Sequence, residues 1–115
     1  MKDRIRSFGY AFRGIRTLVA SETNARIHLA ATAAVMALGI ACRLSSGEWT
    51  AVILAVSTVW SAEAMNTAVE RLADRTAPER HPLVRAAKDV AAAGVLIASL
   101  GALAVGLVVF LPRFA

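Results

Sequence analysis

Trp49-Thr-Ala-Val-Ile-Leu-Ala-Val-Ser-Thr-Val-Trp-Ser-Ala62 carries no charge and runs directly into Glu63-Ala-Met-Asn-Thr-Ala-Val-Glu-Arg-Leu-Ala-Asp74. In the second half, Glu63, Asn66, Glu70 and Asp74 lie three, four and four residues apart. At about 100° per residue they fall within an arc of roughly 80° on one helical face. This is the pattern of a membrane helix that reaches the water boundary on an acidic stripe. Carboxylates are costly to hold there, so they are functional candidates by default.

The composition agrees. The chain has 115 residues, 57% of them hydrophobic, and a mean hydropathy of +0.59. That exceeds the apolar share of about 45–50% in ordinary soluble domains, and the length suits one domain. Cys42 is alone, so an intrachain disulfide is excluded and a small buried thiol is expected. One Cys and two distant His residues do not make a zinc site. The net charge of +5 lies beside the apolar runs, which points to lipid headgroups rather than nucleic acid.

Residues 27–42 are uncharged between Arg26 and Arg43, and residues 90–112 are uncharged throughout. A span needs about 20 residues, with a usable range of roughly 17–25. The chain therefore reads as transmembrane helices over about 26–43, 48–70 and 90–112. Upstream, Ile5, Phe8, Phe12, Ile15 and Val19 form one apolar stripe, with Lys2, Arg6 and Arg13 opposite. That pattern predicts an amphipathic helix over 1–21 lying in the membrane interface. The expected fold is a single all-α membrane domain over 1–115, one interfacial helix plus three spans. Stripes of small residues, Ala33, Ala37, Ala41 and Gly94, Ala98, Ala102, Gly106, allow close helix approach. Three helices enclose little interior, so a homo-oligomer is expected.

Lys2, Arg4, Arg6, Arg13, Arg16 and Arg26 precede the first span, and Arg71, Arg75, Arg80, Arg85 and Lys88 lie between the second and third. The opposite side has only Arg43 and Arg113. The positive-inside rule puts the N-terminus and the 71–89 segment in the cytoplasm and the C-terminus outside. No cleavable signal-peptide pattern is expected at the start. Glu63 lies about 22 Å beyond Glu48 along the helix axis, near the inner boundary of a hydrocarbon core of about 30 Å. Glu70 lies roughly 10 Å further on. One carboxylate thus sits where lipid hydroxyls lie, and desolvated carboxylates are strong proton acceptors. Glu70, with Asn66 and Asp74, offers hard oxygens suited to Mg²⁺.

Further polar groups share that side. Glu22, Asn24, Arg26 and His28 stand at the entry to the first span. Glu22 reads as a second metal carboxylate or a helix cap, Arg26 as a phosphate contact or a snorkelling charge, and His28 as a polar anchor. Lys88 and Asp89 open the third span, where a lysine can neutralise transferred phosphate. Pro78-Glu-Arg-His-Pro82 is a nucleotide contact or a plain connector. The competing reading of the acids is pairing with Arg71, Arg75 or Arg85. No G-x-x-x-x-G-K-[ST] or G-x-G-x-x-G pattern is present. Spacing alone gives an acidic membrane-interface site and does not name a nucleotide.

At Glu63-Ala-Met-Asn-Thr-Ala-Val-Glu70 with Asp74, the chain resembles the prokaryotic diacylglycerol kinases and undecaprenol kinases. Ser7-Phe-Gly-Tyr-Ala-Phe-Arg-Gly14, Glu22-Thr-Asn-Ala-Arg-Ile-His28, His81-Pro82 and Ala87-Lys-Asp-Val-Ala91 extend the likeness over nearly the whole chain. The resemblance implies a trimeric enzyme of the bacterial inner membrane that moves the γ-phosphate of MgATP to a lipid hydroxyl, with active sites between subunits. It implies Glu63 as general base, Asn66 as an orienting group, and Glu22 and Glu70 on Mg²⁺. It implies Tyr10, Glu22, Glu70, Glu79, His81, Lys88 and Asp89 around ATP, with Lys88 on the phosphates. Asp74, Asn24, Arg26 and His28 are then structural or supporting. Asn24-Ala-Arg-Ile-His28 and His81-Pro82 look closer to the undecaprenol kinases, and Ala25 stands where the family usually has an aromatic. Diacylglycerol and undecaprenol are the two substrates in view. The alternative is a non-enzymatic small membrane protein, an ion carrier or assembly subunit.

The loop charges generate a topology test. Reporter fusions at residue 78 and at the C-terminus are expected to report opposite sides of the membrane, with residue 78 cytoplasmic. Both reporters on one side would sink the three-span reading.

Overall fold

A computed structural model of the chain describes residues 1–76 and 81–114. Its elements are four helices, α1 Lys2–Ser21, α2 Thr23–Cys42, α3 Ser46–Thr76 and α4 Pro82–Phe114. The last three are each long and apolar enough to cross a membrane. Only 11% of the apolar window of α2 and of α4, and 22% of that of α3, is buried within the chain. Helices this apolar and this uncovered are not stable in water. The chain is a multi-pass integral membrane protein. α1 is amphipathic rather than spanning, and Ile5, Phe8, Phe12 and Ile15 are all exposed.

α3 organises the rest, packing against all three other helices and most extensively against α4. Its 31 residues span about 46 Å, well beyond a hydrocarbon core of about 30 Å. One end carries Glu63 to Asp74 and is called the acidic end below. The apolar core sits at the far end, where Leu44, Val52, Val109 and Phe110 cluster with Val35, Cys42, Trp49, Val56 and Val105 around them. Cys42 is a free, half-buried thiol at the edge of that cluster.

The far end is closed by identifiable local chemistry. Arg43 ends α2 in the left-handed region (φ 55°), and the Leu44 N–H donates back to the Gly39 carbonyl at 3.3 Å. That six-to-one bond and the burial of Leu44 make a Schellman ending. Ser45 then starts α3 with a capping box. The Glu48 N–H donates to Ser45 Oγ at 3.2 Å, and the Ser45 N–H donates to Glu48 Oε1 at 2.9 Å. The same Glu48 carboxylate accepts two bonds from Arg113, at 2.6 and 2.8 Å. Arg113 also donates to the Cys42 carbonyl at 3.3 Å. One arginine at the end of α4 thus ties the C-terminus of α2 to the N-terminus of α3.

At the acidic end, Glu22 alone separates α1 from α2, in an extended conformation (φ −113°, ψ 122°). The Arg26 guanidinium turns back onto the Val19 and Ala20 carbonyls at the end of α1. A cation there satisfies orphan acceptors and the helix dipole, so Arg26 is a capping residue in this fold. Ala25 is fully buried in the same corner, which leaves no room for a larger side chain without displacing a helix. α4 starts with Pro82 at its first position, and His81 Nδ1 accepts from the Leu83 N–H at 3.2 Å. This is a side-chain cap followed by a proline whose missing N–H costs nothing there.

Gly39 is the one glycine whose size is demanded by close packing. A Cβ at that position would lie 2.7 Å from the Trp49 ring and 3.1 Å from Leu44 Cδ1. Gly39→Val is expected to lower stability by about 1–3 kcal/mol, the usual cost of overpacking. Thermal unfolding in detergent micelles measures it. An unchanged unfolding temperature would show that the far-end turn is not packed as described.

Candidate active site

The buried face of α3 runs through Val52, Val59, Glu63 and Thr67. The stripe that packs the fold at the far end therefore continues, without changing face, into the acidic row read from the sequence. Glu63 is only 3% exposed. His28 of α2 faces it, with Nε2 3.4 Å from Glu63 Oε2. One turn toward the far end the two helices are joined again, where the Trp60 indole N–H donates to Thr32 Oγ1 at 3.0 Å. The Thr32 hydroxyl in turn donates to the His28 carbonyl at 2.7 Å. The His28 and Trp60 rings meet edge to face at 6.4 Å between centroids. Asn66 Oδ1 is buried and has no hydrogen-bond partner among the described residues.

Toward the water-facing rim, charges bridge the helices. Glu22 accepts from Arg71 at 3.1 Å, and Arg71 also reaches Ser21 Oγ. Asp74 accepts from Lys88 at 2.8 Å, tying α3 to α4. Asp89 faces Arg85 one turn away on α4, at 3.7 Å. Glu70 is half-buried, adds to the negative field at Lys88, and has no ion-pair partner among the described residues. Tyr10 lies under the Arg13 guanidinium at 5.4 Å, and both line a groove of about 500 Å³ between α1 and α3 with Thr17, Thr67 and Arg71. Asn24 is exposed near the α1–α2 corner. Glu79 lies outside the described residues.

The structure thus unites part of the expected set and redirects the rest. Glu63 and Asn66 share one face of α3, the first buried and the second half-buried. Lys88 and Asp74 form one cluster. Glu22 is brought to α3 through Arg71, the neighbour of Glu70. His28, read from sequence as a polar anchor, instead faces the central carboxylate. Antiparallel order on adjacent helices was the available signal, because polar groups at equal depth in apolar helices pair with one another. His81 serves α4 as a cap.

The metal expectation is tested by donor chemistry. Among the described residues, no three His, Cys, Asp or Glu side chains form a cluster that could hold a metal. Zn²⁺ needs such a set, whereas Mg²⁺ takes one or two carboxylates and completes its shell with waters and substrate phosphates. Glu22, half-buried Glu70 and the unpartnered Asn66 oxygen are all hard donors. They fit Mg²⁺ arriving with a nucleotide better than a resident metal.

A buried carboxylate on an apolar helix, beside a rim of partly exposed ion pairs, is an arrangement that suits an enzyme acting on a membrane lipid with a soluble co-substrate. The sequence pattern of the prokaryotic diacylglycerol kinases matches residues 9–110, and the chain belongs to that family. It is a membrane lipid kinase with the family's ATP-dependent chemistry, not a carrier or assembly subunit. It is 38% identical to an undecaprenol kinase of Bacillus subtilis over 94% of this chain and 88% of that one. It is 36% identical to a diacylglycerol kinase of Escherichia coli over 82% of this chain and 77% of that one. A diacylglycerol kinase of Synechocystis is 35% identical over 92% of this chain, which spans 61% of that longer protein.

Proposed function

We propose that the chain transfers the γ-phosphate of MgATP to the hydroxyl of a membrane lipid alcohol, with undecaprenol ahead of diacylglycerol. The observation that carries the mechanism is Glu63, a carboxylate 3% exposed on the packing face of α3. Support for undecaprenol comes from the similarity to the Bacillus subtilis enzyme, which extends over 94% of this chain. The Asn24 to His28 and His81-Pro82 segments support it too.

In this reading Glu63 accepts the hydroxyl proton as the lipid oxygen bonds to the γ-phosphorus. The bond from that phosphorus to its bridging oxygen breaks, leaving phosphorylated lipid and ADP. Asn66 orients the hydroxyl by donating an amide N–H to the hydroxyl oxygen. Lys88, held by Asp74 at 2.8 Å, meets the phosphates. Tyr10, Glu79, His81 and Asp89 line the nucleotide side. Glu22 and Glu70 hold Mg²⁺, whose chemistry when bound is to neutralise phosphate charge. The N-terminus and this rim face the cytoplasm of a bacterial inner membrane, with the C-terminus outside and α1 (1–21) in the interface. The spans are those read above (about 26–43, 48–70 and 90–112), and the assembly is a homotrimer that covers the exposed helix faces.

Two outcomes follow. Glu63→Gln keeps the shape but cannot take the proton, and general-base loss costs about 10²- to 10⁴-fold in rate. MgATP affinity and assembly stay near wild type in that variant. Activity within a few-fold of wild type would falsify the base assignment. Glu22→Gln and Glu70→Gln each remove an anionic oxygen ligand and shift the Mg²⁺ midpoint of activity upward. Metal titration of the purified variants reads this, and an unchanged midpoint in both removes them from the metal site.

A further inference from the structure

We propose that His28 is a positioning residue for Glu63, holding one carboxylate oxygen so that the other takes the proton. The inference rests on Glu63 being the general base. A buried carboxylate left without a donor is costly. Among the described residues, Glu63 has no hydrogen bond within normal limits, and His28 is the one basic side chain in contact with it. The contact is made at Oε2, which leaves Oε1 for the lipid hydroxyl. At 3.4 Å it is longer than a charge-assisted bond of about 2.7–2.9 Å. Catalytic bonds are commonly loose before substrate binds and tighten afterwards.

The surroundings of His28 suit a positioning role. Its side chain is 25% exposed, against 4% for that of Glu63, so the ring bridges a dry carboxylate and an open cavity. Its ring is braced edge-on by Trp60, one turn before Glu63 on α3. Its backbone carbonyl is held by Thr32, which also accepts from Trp60. Two helices are therefore stitched at two successive levels, and the second stitch fixes the first. His28 also lines a cavity of about 170 Å³ with Thr32, Trp60, Ser99 and otherwise apolar side chains. Among the described residues no Asp, Glu, Lys or Arg lines it, and Glu63 is the carboxylate within reach of the ring nitrogen.

The test uses the full chain in micelles with MgATP and undecaprenol, and in parallel with diacylglycerol. His28→Phe keeps a ring against Trp60 and removes the donor. Its kcat is expected to fall about 10- to 100-fold, the worth of one bond to a charged group, with KM for both substrates little changed. His28→Gln places an amide N–H at similar reach and should recover most of the rate. In a Glu63→Gln background, His28→Phe should cost less than about twofold, because the group it positions is gone. His28→Phe within twofold of wild type would overturn the proposal, as would an equal loss in the Glu63→Gln background or a His28→Gln no better than Phe. If Glu63→Gln alone is active, the base reading falls and this one with it. If Glu63→Gln collapses and His28→Phe does not, only the role of His28 falls. Should His28→Phe fail to assemble, His28→Leu replaces it. Failure of both while His28→Gln assembles would make the residue structural and overturn the proposal.

Discussion

The acidic end is arranged around one cost, that of a carboxylate buried on a helix otherwise built for lipid. An unpaired charge buried among apolar helices is costly. α2 must therefore bring a polar partner to the depth of Glu63, and His28 is that partner. Bringing it there fixes the register of α2 on α3, which Trp60 and Thr32 then lock. The register in turn decides where the α1–α2 corner falls, and Arg26 and buried Ala25 close that corner. Arg71 meets Glu22 there and draws the corner to α3.

The two ends of the bundle divide the work by polarity. The far end is packed and knitted, with Leu44, Val52, Val109 and Phe110 in contact and Arg113 joining three chain segments. Close van der Waals packing there adds stability without chemical consequence. The acidic end has little such core and is held by ion pairs among partly exposed groups. Exposed pairs contribute little stability. Pairs of this kind, made by partly exposed side chains, exchange partners at low cost.

Much of this was legible in the sequence, because it depends on period and polarity. The three long apolar helices, the amphipathic first helix and the common face of Glu63 and Asn66 follow from spacing alone. The Ser45 to Glu48 box was also legible, as S-x-x-E before an apolar run. The pairings were harder. Glu48 with Arg113, His28 with Glu63 and Lys88 with Asp74 depend on how antiparallel helices slide past one another. A slide of one turn, about 5.4 Å, changes every partner while leaving the hydrophobic pattern intact. The need for glycine at Gly39 was hidden for the same reason, since Trp49 approaches it only across the turn.

The single chain leaves a systematic excess of unmet surface. Leu96, Ile97, Leu100, Leu103 and Leu107 on α4 and the stripe on α1 face outward. Between lipid and protein there is no hydrophobic driving force, so lipid covers such faces as well as a protein neighbour does. Polar groups are different, because lipid cannot satisfy them. The buried Asn66 oxygen and half-buried Glu70 therefore say more about what completes the site than the leucines do. Both lie on the α3 face that carries Glu63, so whatever supplies their donors or cations approaches along that one face. Polar groups left short of partners on an apolar helix of a membrane lipid kinase speak for chemistry on that face rather than packing.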